Sequence, residues 1–487
     1  MTTATYDQLV EGVSGRKQNW FLLILLSVAQ FMVIIDATVV NVALPSIGRE
    51  LGFATAADLQ WVVTAYVLVT GGLTLLGGRM TDLLNRTRLF LVGLLVFTAA
   101  SLTTGLSPSP GLLIASRAAQ GLGAALLTPA ALAIITTAYE GSKRTAALAV
   151  WGALGAAGAA VGLVLGGVLT SWFGWQWVFF INVPIGVAAA AIGLFVVPTP
   201  PPGTGRLRDL DVAGALALIG GLVMLVLAIT AGTGHGRTSA QAALSLVVSV
   251  GLLATFATLE RKVKQPIVPP STWRVRSLIS GNAMYLGASA IMGGSFFLSS
   301  LYVQRVLGAA PWQAGLAFLP LALMVGVAGK LGSGLVSGAG IRPVLVLGLL
   351  MEGGGALLLA HVPTDASYVA NVLPGFLGIG FGLGLAFVAV PLLVMADIRD
   401  ADTGMASGMM QTAHEISISL GVAVISAVAT AGAAEAGFET GFREALLAAA
   451  LIAGLLVAAS LVAVPSVRPA PSSPVPSPSA IPGSAQV

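Results

Sequence analysis

The sequence predicts an all-α, polytopic membrane protein with about fourteen transmembrane helices. Hydrophobic residues make up 56% of the 487 residues and charged residues only 9%. A soluble protein of this length needs a charged shell to stay in water. The charges here stand instead in short clusters between apolar runs of roughly 18 to 28 residues, which are long enough to cross about 30 Å of hydrocarbon.

The apolar runs follow one another from end to end of the chain. The first run follows Arg16 and Lys17, but it is longer than the apolar core of a signal peptide and has no evident cleavage site, so we expect a retained helix. Residues 467 to 487 are rich in Pro, Ser and Ala and predict a disordered tail. In order, the predicted spans lie near residues 20 to 43, 59 to 79, 89 to 106, 111 to 138, 145 to 170, 176 to 197, 211 to 231, 241 to 258, 278 to 304, 312 to 336, 343 to 360, 369 to 396, 403 to 430 and 442 to 465.

Basic residues next to the spans predict the orientation, because Lys and Arg are retained on the cytoplasmic side. With both termini in the cytoplasm, the outer loops carry only Arg49, Arg237, Arg305 and Arg443, and Arg117 lies inside a span. The remaining Lys and Arg residues fall on the cytoplasmic side. The net charge of +4 is therefore explained by topology, and no nucleic-acid partner is expected. We expect a multi-pass protein of the cell membrane.

Several kinds of site are excluded by the sequence. The chain has no cysteine, which excludes disulfides, thiolate metal sites and iron–sulfur clusters. The histidines His235, His361 and His414 are not clustered, and Gly329-Lys330 lacks the other residues of a phosphate-binding loop. We therefore expect no metal and no cofactor, and solute movement against a gradient would have to be coupled to an ion gradient.

Ionisable residues inside the spans are the candidate coupling groups, because a charge near the centre of a bilayer is costly. They are Asp36, Arg117, Glu352, His414 and Glu415. At about 1.5 Å per residue, Asp36 and Arg117 lie at similar depths, so an ion pair is expected, either as a coupling device or as a static structural pair. Glu352 and Glu415 fall near the midplane, where an unpaired carboxyl is expected to carry a proton.

Several segments resemble signatures of the major facilitator superfamily, and within it the fourteen-span drug:proton antiporters. Span 1 carries DATVVNVALP at 36 to 45, and span 4 carries RAAQGLGA at 117 to 124 with Pro129 beyond. The loop after span 2 reads GRMTD at 78 to 82, so the resemblance implies a cytoplasmic gating motif of Gly78, Asp82, Arg86 and Arg88. Asn85 stands where that motif usually has glycine.

Further segments extend the resemblance over nearly the whole chain. Span 5 carries Gly158, Gly162, Gly166 and Gly167 at the place of the antiporter motif, a spacing that lets helices approach closely. That motif normally reads Gly-Pro, whereas Gly162 is followed by leucine. The segments WQWVFFINVPIG at 175 to 186, LYVQ at 301 to 304 and GMASG at 404 to 408 are also similar to this family.

The resemblance implies an architecture of two six-helix bundles and two extra central helices. The expected domains are residues 1 to 200, a two-helix insert with cytoplasmic loops at 201 to 275, residues 276 to 466, and the tail 467 to 487. Spans 7 and 8 contain no charge and are expected to form a linker or a lipid-facing pair. A substrate cavity is expected between the bundles, with Gln30, Asn41, Gln120, Asn282 and Gln411 as candidate lining residues.

The function implied is proton-coupled efflux of drugs or similar amphiphilic small molecules by alternating access, with the proton gradient as energy source and the monomer as functional unit. One alternative is a dedicated exporter of a single endogenous metabolite, such as a self-made antibiotic, a siderophore or a peptide. An uptake symporter and a membrane sensor without flux are less favoured. An intramembrane enzyme is disfavoured because the spans show no nucleophile and base constellation.

Overall fold

The computed structural model describes residues 20–197, 211–231, 239–263, 272, 274–363, 365–399 and 403–464. Within these ranges the chain forms helices, and none of these residues lies in a β-strand. The predicted tail, His235 and several of the basic residues that predicted the orientation, among them Arg16 and Lys17, lie outside the described residues.

Fourteen long helices carry the fold of the described residues. Each follows from an apolar run without interior charge clusters, which can cross a bilayer only with its backbone hydrogen bonds made internally. In chain order, α1 to α14 are Trp20–Leu51, Trp61–Leu83, Arg86–Gly105, Pro110–Ala138, Gly141–Trp172, Asn182–Val196, Val212–Ala231, Ser239–Lys262, Arg276–Arg305, Pro311–Ala339, Ile341–Ala360, Leu373–Met395, Thr403–Ala436 and Phe438–Ala463.

The predicted number of spans is confirmed. Thirteen helical segments of the described chain are long and apolar enough to cross a membrane, and α5, at 32 residues, covers the one remaining predicted span, the fifth. Some ends differ from the prediction, since α1 continues eight residues beyond position 43 to Leu51. Span 6 is also interrupted, because a four-residue helix, Trp177–Phe180, precedes α6.

The helices run between two faces of the molecule. The Leu51 face is where α1 ends and α2 begins, and the Trp20 face is where α1 and α9 begin. Helices α1 to α6 pack among themselves, chiefly as α1 on α5 and as α2 and α3 on α4. Helices α9 to α14 do the same, chiefly as α11 on α12 and α9 on α13. We call these two groups the N-bundle and the C-bundle.

The two bundles are held together near the Leu51 face. Ser300 on α9 donates to the Asn41 carbonyl of α1 at 2.5 Å, and Gln304 donates to the Val42 carbonyl at 2.9 Å. Near the same face, the Trp312 amide of α10 donates to Ser171 of α5 at 3.0 Å. These bonds join α1 to α9 and α5 to α10, so the N-bundle and C-bundle are clasped at this end.

The two central helices differ from each other in their surroundings. Helix α8 packs on α7, where Ser249 donates to the Gly221 carbonyl at 2.8 Å. Only 6% of the most apolar stretch of α8 is buried inside the protein. This exposure fits the lipid-facing position expected for α8. Helix α7, however, contacts α2 of the N-bundle and α13 of the C-bundle, with Leu222 and Val226 in a cluster with Leu68 and Ala423. It covers the seam between these two helices and is not a simple linker.

Candidate functional site

A fully buried polar cluster surrounds Asp36 inside the N-bundle. Asp36 and Arg117 form an ion pair with 2.5 Å between Oδ2 and Nη1, and neither side chain is exposed. The other carboxylate oxygen accepts from Gln120 at 2.7 Å and from Asn182 at 2.9 Å. Asn182 also donates to Ser101 at 3.0 Å. The ion pair expected from the sequence is present, and it is part of a network that joins α1, α3, α4 and α6.

Arg117 is held by several partners besides Asp36. Its Nε donates to the Val62 carbonyl of α2 at 3.0 Å. Its guanidinium carbon lies 4.2 Å from the ring centre of Tyr66 and 5.6 Å from that of Phe179. These aromatic faces interact favourably with a cation that has left water. Arg117 thus ties α2 to the Asp36 cluster.

Close approach of α2 and α4 makes this arrangement possible. Gly121 of α4 lies against the Tyr66 carbonyl, and a Cβ added at Gly121 would be 2.5 Å from that oxygen. Thr70 donates to the same carbonyl at 2.8 Å and lies 3.3 Å from the Gly121 carbonyl. A larger residue at position 121 would therefore push α2 away from Arg117.

A second cluster lies on α13 of the C-bundle. His414 is hydrogen bonded to Ser289 of α9 at 2.7 Å and stacks on Tyr285 with 4.9 Å between ring centres. Glu415 points elsewhere, because successive residues of a helix are about 100° apart. Its carboxyl accepts from Gln411, one turn earlier, at 3.0 Å. The two side chains therefore have different contacts: His414 packs inside the C-bundle, and Glu415 faces the N-bundle.

Glu415 lies where the two bundles meet. A Cβ added at Gly71 of α2 would be 2.6 Å from the Cβ of Glu415, so only glycine at position 71 leaves room for this side chain. Glu415 is half-buried and its partner Gln411 is exposed, whereas Asp36 is sealed. Of these two carboxyls, Glu415 is therefore the more exposed.

Glu352 lies away from this meeting place. It is fully buried on α11, with its main contacts toward α12 and α14 of its own bundle. Its Cβ lies against Gly382 of α12, and neither carboxyl oxygen has a hydrogen-bond partner among the described residues. The structure does not bring Glu352 together with Asp36, Arg117 or Glu415.

The other candidate cavity residues have mostly local roles. Asn41 donates to the Ala37 carbonyl at 3.2 Å and Asn282 to the Leu278 carbonyl at 2.8 Å, both within their own helices. Gln30 is half-buried on α1, and its Oε1 has no partner among the described residues. Gln120 belongs to the Asp36 cluster, which is sealed, and so does not line an open cavity here.

The loop after α2 is only partly described. The Asp82 side chain lies outside the described residues, so the role of Asp82 in the gating motif stays a prediction. Asn85 caps α3, its side chain accepting from the Arg88 amide at 3.0 Å. Asparagine is a favoured residue at this position, which gives the departure from glycine a structural reason.

Arg86 joins this loop to the end of α4. Its Nη1 donates to Thr137 at 2.8 Å and to the Ala133 carbonyl at 3.3 Å. A cation at the last turn of a helix is favoured by unpaired carbonyls and by the helix dipole. Gly78, by contrast, has no atom within 4 Å of an added Cβ, so crowding does not require glycine at that position.

The glycines of α5 lie at two helix contacts. Gly158, Gly162 and Gly166 face α1, whereas Gly167 faces Pro311 of α10. This one stretch of α5 therefore packs against α1 of its own bundle and against α10 of the C-bundle. Small residues permit such close backbone approach in membranes, where apolar burial itself gives helices little reason to associate.

Sequence reasoning missed several members of the Asp36 cluster. Tyr66, Ser101 and Asn182 were not predicted as site residues. Asn182 stands in the segment at 175 to 186 that resembles the family, and that resemblance was the available signal. No periodicity in the sequence pointed to Tyr66, because the polar residues near it on α2, such as Thr64 and Thr70, are few and stand in a largely apolar helix.

Comparison with known proteins gives the family. The Major Facilitator Superfamily model matches residues 26–422. Puromycin resistance protein pur8 of Streptomyces alboniger is 38% identical, covering 86% of this chain and 83% of the relative. Cephamycin export protein CmcT of Amycolatopsis lactamdurans is 36% identical (84% and 85%), and multidrug resistance protein Stp of Mycobacterium tuberculosis is 33% identical (82% and 74%).

Solved structures share the fold at low sequence identity. A peptide transporter POT in complex with sulfate has a TM-score of 0.66 at 17% identity, covering 90% of this chain and 94% of the transporter. A bacterial homologue of the human lysosomal transporter Spinster, in an inward-facing and occupied conformation, has a TM-score of 0.66 at 16% identity (92% and 97%). Because the family model matches most of the length of this chain, the protein belongs to the major facilitator superfamily.

Proposed function

We propose that this protein exports antibiotics or other amphiphilic small molecules across the cell membrane in exchange for protons. The resistance and export proteins to which it is similar support the substrate class. The observation that carries the proton coupling is the buried pair of Asp36 and Arg117, because a carboxylate so enclosed can change its charge only together with its surroundings. The proton gradient is the proposed energy source, so the exchange needs no cofactor. Because one chain contains both bundles, the monomer is the proposed functional unit.

The distribution of basic residues favours an orientation with the Trp20 face in the cytoplasm. On this face lie Arg86, Arg88, Lys262 and Arg276, and Lys and Arg are retained on the cytoplasmic side. The bonds that clasp the bundles near the Leu51 face then close the outer side. In this state substrate enters from the cytoplasm and can meet the polar groups Glu415 and Gln411 at the contact between bundles.

The proposed cycle exchanges protons for substrate at two carboxyls. When a proton arrives from outside, it neutralises Asp36 or Glu415, and substrate is displaced outward before the proton leaves to the cytoplasm. Neutral Asp36 no longer offers Gln120, Asn182 and Arg117 a charged acceptor, so the cluster that joins four helices loosens. One charge crossing about 100 mV supplies about 2.3 kcal/mol, which sustains roughly a fortyfold gradient.

A narrower substrate range is the second candidate function. Two of the relatives carry single compounds in their names, puromycin and cephamycin, which favours an exporter dedicated to one product. Both candidates use the same two carboxyls, and they differ only in how many compounds move protons.

The test is proton release in inside-out vesicles that hold a proton gradient, with a panel of cationic and neutral amphiphiles. Wild type is compared with Asp36→Asn and Glu415→Gln, and Glu352→Gln serves as the matched control because its carboxyl is buried away from the other bundle. We expect substrate to dissipate the gradient in wild type and control, and at least one of the two site variants to fail. If no compound of a broad panel moves protons in wild type, multidrug export is contradicted.

A further inference from the structure

Tyr66 of α2 occupies a place between the two carboxyls that the proposed function uses. We propose that Tyr66 is a positioning residue, whose ring keeps Arg117 on Asp36 and whose helix links this pair to Glu415 of the C-bundle. This inference rests on the proposed function for its role in transport, but its geometry can be tested without transport.

The first observation is an unpaired nitrogen on Arg117. Its Nε and Nη1 have oxygen partners, whereas the buried Nη2 has no hydrogen-bond partner among the described residues. A buried guanidinium nitrogen without a partner is costly. The centre of the Tyr66 ring lies 4.2 Å from the guanidinium carbon and offers a π face to this buried cation.

The second observation is that the ring has little freedom to move. Tyr66 is 2% exposed, and its carbonyl is fixed by the Thr70 hydroxyl and by the backbone of Gly121. The ring therefore remains against the Arg117 guanidinium when Asp36 changes its charge. An arginine held in this way stays in place after Asp36 is protonated, instead of turning away with its partner.

The third observation connects α2 to the other bundle. Five residues after Tyr66, Gly71 receives the Glu415 side chain, with 2.6 Å between an added Cβ and the Cβ of Glu415. Helix α2 therefore contacts Arg117 through the Tyr66 ring and Glu415 through Gly71.

The consequence is that the two carboxyls are not independent. When Asp36 is neutralised, the positive charge of Arg117 is no longer balanced, and because the Tyr66 ring holds it in place, its field acts on Glu415 across α2. A change of charge at Glu415 acts on the pair in the same way. Charge at one bundle thus affects charge at the other before any helix moves.

The geometry is tested by double-mutant cycles in thermal unfolding of the purified full-length protein in detergent. Tyr66→Leu, which removes the ring face, is combined with Arg117→Met, with Glu415→Gln and, as the control, with Glu352→Gln. We expect non-additive shifts of the melting temperature in the first two cycles and additive shifts in the control. Additive shifts in the Arg117 cycle or in the Glu415 cycle would overturn the proposal.

The role in transport is tested by ethidium-driven proton release in inside-out vesicles. Tyr66→Phe keeps the ring face and should retain release within about twofold of wild type, whereas Tyr66→Leu should lose on the order of tenfold. If Tyr66→Leu does not fold, Tyr66→Met takes its place. Equal loss in the Phe and Leu variants would show that the hydroxyl matters and not the ring, and would overturn this role.

The two hypotheses fail in different ways. If wild type releases no protons with ethidium or any other compound of the panel, the proposed function fails while the unfolding cycles still report on Tyr66. If wild type transports and Tyr66→Leu is indistinguishable from it in release, only the inference about Tyr66 fails.

Discussion

Removing the charge of Asp36 is predicted to destabilise the protein, and the structure indicates by how much. In Asp36→Asn, the amide oxygen can still accept from Gln120 and Asn182, but the amide nitrogen then faces the Nη1 donor of Arg117. Both groups are donors and both are fully buried. Breaking a buried ion pair by removing one partner typically costs about 3 to 5 kcal/mol. We expect a loss of this size in the free energy of unfolding.

The double variant Asp36→Asn with Arg117→Met is the informative comparison. Replacing both partners of a buried pair is often close to neutral, so it should lose less stability than the sum of the two single variants. The assay is chemical or thermal unfolding in detergent, with proton release measured in parallel. We expect the double variant to regain stability while remaining uncoupled. Single variants as stable as wild type, or a double variant whose loss equals the sum, would refute this reasoning.

Two further predictions concern other parts of the molecule. Glu352→Gln should leave substrate-driven proton release unchanged in vesicles, whereas Glu415→Gln should abolish it, because only Glu415 lies at the contact between bundles; loss in both would contradict this distinction. Gly72→Ala should lower the melting temperature, because its Cβ would be 2.5 Å from Cγ1 of Ile219 and would displace α7. Gly78→Ala, with no atom within 4 Å of its Cβ, is the matched control and should be neutral.

The fold could be predicted from the sequence because hydropathy alone determines which segments cross a bilayer. The ends were less predictable, since helices such as α1 continue beyond the hydrocarbon, where polar residues extend them. The break before α6 also escaped prediction, because the residues of Trp177–Phe180 are as apolar as those that follow. The position of α7 against both bundles follows from its contacts in space, which an apolar sequence without charge does not reveal.

The sequence predicted how deep each candidate site residue lies in the membrane, but not which neighbouring helix its side chain faces. A fixed rise per residue placed Asp36 and Arg117 at the same level, and they do form a pair. The same reasoning placed Glu352 and Glu415 together near the midplane, yet one lies inside the C-bundle and the other faces α2. The direction of a side chain depends on how each helix is rotated against its neighbours, and nearly uniform apolar helices give little indication of that rotation.

The three carboxyls differ in how well the structure supports a charge on each. Asp36 has an arginine and two amides around it, Glu415 accepts from a single amide and is half-buried, and Glu352 has no hydrogen-bond partner among the described residues. A carboxylate is stabilised by such donors and destabilised by burial without them. With the Leu51 face clasped, the structure therefore gives Asp36 the fullest set of donors and gives Glu352 none among the described residues. Glu415 lies between these extremes and borders the other bundle, which makes it the carboxyl whose charge the approach of a substrate can most readily change.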